Sequence, residues 1–207
     1  MDPNDVREGW AERSGEFSPT YYAHRGPNEA SASIRELLEH FLGTDARVLE
    51  IGCSSGRHLA HLLDSGFENL HGLELNEDAL DVMAEQYPAL ADDGTFYPGH
   101  AGELLPEFDD GAFDAVYSVE TLQHIHPDEA EDVFDEVARV TGDLLITVEN
   151  ESARTAGGRT DADVSYVNDE FPLYHRDWKG IFTERGFAQL LEESSKRRDT
   201  LRAFRRP

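Results

Sequence analysis

The sequence predicts an α/β chain: a doubly wound, mostly parallel sheet of seven strands whose last two form an antiparallel hairpin. Three observations predict it. From residue 34 onward, short apolar runs alternate with helical periodicities, the pattern of strand–helix units stacked into a parallel sheet. The run Leu144-Leu145-Ile146-Thr147-Val148 is apolar on both faces, as a central parallel strand requires. Finally, Arg47-Val48-Leu49-Glu50-Ile51 leads directly through Gly52-Cys53-Ser54-Ser55-Gly56 into the helix-like Arg57-His58-Leu59. Such a strand–turn–helix junction lies at the carboxyl end of a strand, where open α/β sheets bind ligands.

The elements follow in order. Ile34, Leu37, Leu38, Phe41 and Leu42 recur at helical spacing, and Gly43 caps the run. Residues 46–51 read as a buried strand, and Leu59, Leu62 and Leu63 mark a helix closed by Gly66. Residues 69–75 form the second strand. Asn76 is the expected N-cap of a helix that uses Leu80, Met83 and Tyr87 and stops at Pro88. The third strand fits 95–98 and the fourth 113–118. Pro127 opens a helix containing Val133, Val137 and Val140, and 144–148 is the fifth strand. Residues 150–172 lose periodicity and gather Gly157, Gly158, Asp161 and Asp163. A connection that long is uncommon unless it is functional or mobile, so a lid-like loop is expected there. A helix over 177–185 ends at Gly186, and 187–192 with 199–205 make the terminal hairpin. Neither an internal repeat nor a linker is visible. The chain therefore reads as one domain, 1–207: a cap and first helix over 1–44, a binding core over 45–150, the loop over 150–172, and the helix and hairpin over 173–207.

Composition narrows the function. At 207 residues the chain can bury a sizeable core. No run approaches the roughly 20 apolar residues that span a bilayer, and Met1-Asp2-Pro3-Asn4-Asp5 lacks the basic and apolar regions of a signal peptide. Cys53 is the single cysteine, which excludes an internal disulfide, so a cytoplasmic protein is expected. Asp and Glu number 43 against 18 Lys and Arg, a formal net charge of −25, and lysine occurs only at Lys179 and Lys196. This acid-rich, lysine-poor composition resembles that of proteins from extreme halophiles, whose self-repulsion is screened where the Debye length falls to about 3 Å. It also disfavours nucleic acid as a partner, since phosphate binding rests on cationic contacts. Lys196, Arg197, Arg198, Arg202, Arg205 and Arg206 cluster at the C-terminus, either as an anion-binding patch or as charges guarding a hairpin edge.

Glycine spacing selects the ligand of the 47–59 junction. A dinucleotide fingerprint needs small residues spaced G-x-G-x-x-G, whereas the matching positions here are Gly52, Ser54 and the bulky Arg57. The glycine falls instead at Gly56, giving E-x-G-x-S-x-G. This spacing resembles motif I of the class I S-adenosylmethionine-dependent methyltransferases, with Ser54 in place of the usual middle glycine. The likeness covers roughly residues 45–150 and implies a Rossmann-like fold with S-adenosylmethionine as cofactor. It implies cofactor contacts from Glu50, Gly52, Cys53, Ser54 and Gly56. Glu74, at the distance of a ribose-binding acid, is expected to contact the cofactor together with Leu75. Gly99-His100-Ala101-Gly102-Glu103-Leu104 is similar to the family segment after strand three, where an acid commonly faces adenine. His100 stands in that place, with Ala101 beside it as a backbone contact, and Val119 closes the set. In the N-terminal aromatic stretch, Tyr22 and Arg25 are the expected cofactor contacts.

Methyl transfer from a sulfonium is an in-line displacement, so the protein must align the reactants and exclude water. Oxygen and nitrogen nucleophiles also need a base. In Ser118-Val119-Glu120-Thr121-Leu122-Gln123-His124-Ile125-His126, His124 is the candidate base and Glu120 the candidate acceptor-positioning residue. His124-x-His126 has metal-like spacing, but no further ligand set accompanies it, so no metal is expected. The Asn/Asp-Pro-Pro-Tyr/Phe motif of many DNA and glutamine amino methyltransferases is absent. Arg154, Arg159, Tyr166 and Phe171 are candidates for a second wall, and Tyr174-His175-Arg176-Asp177-Trp178 is loosely similar to methylases linked to sugar biosynthesis. The expected activity is methyl transfer to a small-molecule acceptor. A protein or RNA acceptor is the runner-up, ahead of a non-catalytic cofactor-binding module or a nicotinamide-dependent oxidoreductase.

Overall fold

A computed structural model describes residues 1–151, 154–155, 158–159, 164–168, 170–194 and 199–207. Three helices lead into the sheet: α1 (Pro3–Ala11), α2 (Pro19–Ala23) and α3 (Glu29–Phe41). Strands and helices then alternate as β1 (Arg47–Ile51), α4 (Arg57–Asp64), β2 (Asn69–Glu74), α5 (Asp78–Gln86), α6 (Pro88–Asp93), β3 (Thr95–Pro98), α7 (Ala101–Leu104), β4 (Phe113–Val119), α8 (Pro127–Val140) and β5 (Thr141–Asn150). The remainder comprises β6 (Arg154–Thr155), β7 (Gly158–Arg159), β8 (Val164–Val167), β9 (Phe171–Tyr174), α9 (Trp178–Glu184), β10 (Ala188–Ser194) and β11 (Asp199–Arg205).

The main sheet has seven strands in the order β10-β11-β5-β4-β1-β2-β3. β3, β2, β1, β4 and β5 run parallel, β11 lies antiparallel to β5, and β10 antiparallel to β11. The terminal hairpin thus completes the sheet instead of standing apart from it. Strand alternation divides the core between two faces. Val48, Ala115, Tyr117, Ile146 and Val148 pack toward Ile34 and Leu38 of α3 and Leu59 and Leu62 of α4. Leu49, Ile51, Val116 and Leu145 pack toward Val133, Phe134 and Val137 of α8 and Trp178 and Phe182 of α9. Each such fully buried aliphatic side chain contributes about 1.5–3 kcal/mol relative to exposure. Trp178 also ties the sheet edge to the site, because its indole N–H donates to the Asn150 carbonyl at 3.1 Å.

Helix ends follow their capping residues. Gly43, at φ +110°, donates to the Leu38 carbonyl as expected of a left-handed cap. Asn28 and Ser31 form a reciprocal capping box on α3. The expected Asn76 cap is displaced by one residue. Glu77 takes the cap position of α5 without a side-chain bond, while Asn76 accepts from the Asp78 N–H at 3.1 Å. Pro88 ends α5 but sits in the first turn of α6, where its missing N–H costs nothing.

The segment 150–172 differs from the expected loop. β5 extends through Asn150, β6 pairs with β7, and β8 pairs antiparallel with β9 in register Val167↔Phe171. Gly157, Asp161 and Asp163, like Lys196, Arg197 and Arg198, lie outside the described residues. α1 and α2 are helices where the sequence suggested only an aromatic cap. The signal was present in Asp2-Pro3-Asn4-Asp5, where Pro3 opens the helix and Asp2 and Asp5 form a capping box. Among the described residues no helix is long and apolar enough to cross a membrane.

Candidate active site

Strand order reverses between β1 and β4, so their carboxyl ends splay apart and leave a crevice. A cavity of about 350 Å³ opens there. The turns after β1, β2, β3 and β4 form its floor, and Val6 and Trp10 of α1, Phe17, Tyr22 of α2, and Leu173 of β9 help to wall it.

The turn after β1 is built from backbone hydrogen bonds. Gly52 and Cys53 both donate to the Leu73 carbonyl, at 2.8 and 3.0 Å. Glu74 then ties the β1 turn to β2: one carboxylate oxygen accepts from the Ser54 N–H at 2.7 Å and the other from the Asn76 N–H at 2.8 Å. Carboxylate lone pairs remain for a ligand hydroxyl. Ser54 holds φ +49°, which explains why glycine is usual at this position. Gly52 sits at φ +73°, and a Cβ there would overlap the Thr121 side chain. Its requirement is therefore the left-handed turn and contact with the β4 tip, in addition to any ligand.

Twelve of the fourteen sequence-predicted site residues line this cavity: Tyr22, Glu50, Gly52, Cys53, Ser54 and Glu74, then Leu75, His100, Ala101, Val119, Glu120 and His124. Gly56 and Arg25 do not. Gly56 is the left-handed cap of α4, and a Cβ would stand 2.7 Å from Leu90 and 2.9 Å from Met83, so helix packing requires the glycine. Arg25 instead lies over the ring of Tyr21, its guanidinium 4.4 Å from the ring centre.

Buried charge concentrates around the crevice. Glu50 is 1% exposed and accepts from the Tyr117 hydroxyl at 3.0 Å; burial pushes its carboxyl well above the usual range. Burial likewise raises the Cys53 thiol and the Tyr22 hydroxyl, leaving both protonated at neutral pH. At the other end, His100 is shifted down by burial and lies 3.9 Å from a Glu129 carboxylate oxygen; Glu129 also pairs with Arg7.

Glu149, which the sequence reading missed, anchors the wall after β4. It accepts from the Ser118 hydroxyl at 2.5 Å and from the N–H groups of Thr121, Leu122 and Gln123 at 3.3, 3.2 and 3.2 Å. Burial raises its carboxyl to about 7. Residues 122–124 form a 3-10 turn on this anchor that carries His124. The His124 Nδ1 lies 2.9 Å from the Pro172 carbonyl, which only accepts, so Nδ1 carries the hydrogen and Nε2 keeps its lone pair. The ring packs on Trp10 with centroids 4.5 Å apart. Burial lowers His124 to about 4, so the argument for a base near pH 6.5 does not hold in this environment. Glu120 is exposed on the cavity rim at φ +50°, its N–H held by the Val148 carbonyl at 2.8 Å.

The C-terminal arginines form no open anion patch among the described residues. Arg202 is paired with Glu151 and Glu192, Arg205 with Asp143, and Arg206 donates to the Thr141 and Ala138 carbonyls.

Comparisons with known proteins agree with this geometry. Residues 48–143 match the family model described as a methyltransferase domain. Over 83 residues the chain is 32% identical to a dTDP-3-amino-3,6-dideoxy-alpha-D-glucopyranose N,N-dimethyltransferase from Streptomyces fradiae. That match spans 38% of this chain and about a third (32%) of the relative. Among solved structures, the chain superposes on the Burkholderia thailandensis 1,6-didemethyltoxoflavin-N1-methyltransferase, solved with S-adenosylhomocysteine, with a TM-score of 0.73 and 17% identity. The superposition covers 100% of this chain and 91% of the other. It superposes on the magnesium protoporphyrin IX methyltransferase of Synechocystis, also with S-adenosylhomocysteine, with a TM-score of 0.72, 16% identity and full coverage of both chains (100% and 100%). The motif, the strand order and the superpositions agree on one fold, and the likeness to a methyltransferase domain is carried by residues 48–143.

Proposed function

We propose that the chain is an enzyme that transfers the methyl group of S-adenosylmethionine to a small-molecule acceptor. The observation that carries this reading is the cavity at the sheet's switch point, walled by Val6, Trp10, Phe17 and Tyr22 from the N-terminal cap. A protein or RNA acceptor would call for an open trough lined by cations. Here the described C-terminal arginines are paired, and the chain carries a net charge of −25. The same charge argues for a salt-rich cytoplasm as its working medium.

The residues present fit this cofactor. It carries no phosphate, and the β1 turn lacks the third glycine that would seat a pyrophosphate. Glu74 would take the ribose hydroxyls, Leu75, His100 and Ala101 would border the adenine end, and the turn Gly52-Cys53-Ser54 with Glu50, Val119 and Tyr22 would border the amino-acid end. When bound, S-adenosylmethionine supplies an activated methyl carbon. The chain then has to hold the acceptor in line with that carbon and keep water out. Trp10, Leu173 and Val167 provide an apolar wall toward the β4 and β5 ends, where Glu120 and Asn150 offer polar contacts to the acceptor. His124, neutral, accepts at Nε2 a long bond of 3.4 Å from the Gln123 side-chain amide, and an acceptor entering the cavity would share that lone pair for orientation.

The test is turnover in molar potassium chloride against a metabolite panel that includes amino sugars and heteroaromatic N–H compounds, with release of S-adenosylhomocysteine as the readout. Product formed with a small molecule supports the reading. Product formed only with protein or RNA overturns the acceptor class, and binding without any turnover overturns the enzyme.

A further inference from the structure

The polar groups that line the cavity after β4 and β5 share one property: their hydrogens are spent inside the protein. From Glu120 to Ile125 every backbone N–H has an internal acceptor. Glu120 donates to the Val148 carbonyl, Thr121, Leu122 and Gln123 donate to Glu149, His124 to the Thr121 carbonyl and Ile125 to that of Leu122. The side chains behave alike. The Thr121 hydroxyl donates to the Val119 carbonyl at 3.1 Å. The Asn150 N–H donates to Gln123 Oε1 at 2.7 Å, which fixes the Gln123 amide and leaves its Nε2 to donate toward His124 Nε2 at 3.4 Å. The Asn150 side-chain Nδ2 donates to Asp199 Oδ1 at 2.9 Å, opposite it in the β5–β11 register.

What this wall keeps for a ligand is lone pairs: the Glu120 carboxylate, Thr121 Oγ1, Asn150 Oδ1 and a share of His124 Nε2. All four residues line the cavity. Asp199 holds the pattern together. It is 8% exposed, bonds Asn150 on one side and Glu120 on the other, and burial and the Glu120 charge push its carboxyl up to about 7. Asp199 therefore donates in the bond to Glu120, and Glu120 accepts. A carboxylate, phosphate or carbonyl entering here would meet lone pairs without a donor to answer its own, which is costly away from water. A group rich in N–H bonds answers them all. Resting on the reading of this cavity as the methyl-acceptor site, we propose that the acceptor is an amine, bound through its N–H bonds by Glu120, Thr121 and Asn150, and that Asp199 is the positioning residue that sets the polarity of this wall. The nearby indole N–H of Trp10, whose ring packs on His124, is buried without a partner among the described residues and suits an oxygen elsewhere in the same ligand.

The experiment takes the full chain saturated with S-adenosylhomocysteine in molar potassium chloride and titrates it by calorimetry with probes matched on two skeletons. One series is glucosamine, glucose and glucuronate, the other cyclohexylamine, cyclohexanol and cyclohexanecarboxylate. In at least one series the amine is expected to bind ~10-fold or more tightly than its alcohol, the worth of a charge-assisted hydrogen bond, and the carboxylate more weakly than either. Glu120→Gln puts an N–H donor into the wall and should weaken that amine ~10-fold. Asp199→Ala frees the Asn150 amide and should weaken it ~3–10-fold, whereas Asp199→Asn keeps both bonds and should stay within about twofold. An equal loss in Asp199→Ala and Asp199→Asn would overturn the positioning role. Alcohols or carboxylates that bind as tightly as the amines in both series would overturn the amine assignment, and so would the absence of any amine binding. That comparison uses the unmutated protein, so it decides even where a variant fails to fold. If S-adenosylhomocysteine itself does not bind, the cofactor reading falls first, and this assignment with it.

Discussion

Replacing Glu74 by alanine should damage binding and stability by separable amounts. In the free protein the carboxylate accepts from two backbone N–H groups, Ser54 at 2.7 Å and Asn76 at 2.8 Å, and so fastens the turn after β1 to the tip of β2. Truncation orphans both donors, at about 1–3 kcal/mol each if they stay dry. They face the cavity, where water can enter, so the low end applies, about 2 kcal/mol in all. For a chain of this length that lowers Tm by roughly 4–8 °C. Ligand binding loses in addition the charge-assisted bond to the ribose, about 1.5–3 kcal/mol, or a rise in Kd of roughly 10–150-fold. Thermal melts and calorimetry with S-adenosylhomocysteine, both in molar potassium chloride, read the two effects independently. Glu74→Gln keeps one acceptor oxygen for the turn and should fall between. If Glu74→Ala folds and its Kd stays within about twofold of the unmutated protein, the ribose assignment is wrong.

Four further outcomes follow from the same structure. Gly52→Ala places a Cβ at φ +73° against Thr121, so a loss of at least about 2 kcal/mol is expected, combining left-handed strain with steric overlap; a melt within a degree of the parent would refute it. Glu149 has its carboxyl raised to about 7 in the fold, against about 4.5 when unfolded, so the folded state holds the proton more tightly. Its contribution therefore decreases as pH rises from about 4.5 to 7, by up to about 3 kcal/mol. Glu149→Gln should show a shallower decline in urea melts between pH 5 and 8, and an equal decline would count against this. His124, lowered to about 4, should give no turnover inflection near 6.5, and His124→Ala should reduce turnover while sparing S-adenosylhomocysteine affinity; an inflection near pH 6.5 abolished by the substitution would restore it as a base. Finally, melting temperature should climb from low to molar potassium chloride as the −25 charge is screened, and an unchanged value would remove the halophilic reading.

The sheet was legible because strands bury apolar side chains on both faces and turns are punctuated by glycine and proline. β3 emerges at 95–98 as expected, and β10 and β11 fall within two residues of the hairpin read from the sequence. α1 escaped because its apolar residues are few, with only Val6 buried; its caps announce it more clearly than its periodicity. The turns that floor the cavity were legible because they are short and local: E-x-G-x-S-x-G and Glu74 need only sequence distance to be found. Glu149 was not, and neither was the partner of Trp10, because these roles depend on contacts across the fold. Glu149 lies on β5 and acts on the turn after β4, 26–28 residues away. Trp10 meets His124 from the opposite end of the chain. His124 was found by position, but the burial that lowers its ring cannot be read from neighbours in sequence.

The charge imbalance and the site are connected through the arginines. In molar salt a chain this acidic would gain little from cations on its surface, because repulsion there is already screened. Many of its arginines instead act as clips between elements. Arg176 donates to the Leu122 and Ile125 carbonyls at 3.1 and 2.5 Å, pinning the turn that carries His124 to the segment before α9. Arg202 joins β11 to Glu151 after β5 and to Glu192 on β10. Arg185 fastens α9 to Glu131 and Asp135 of α8. The carbonyl acceptors of Arg176 and the Glu151 partner of Arg202 are shielded, whereas Glu131, Asp135 and Glu192 are exposed and those pairs weaken as salt rises.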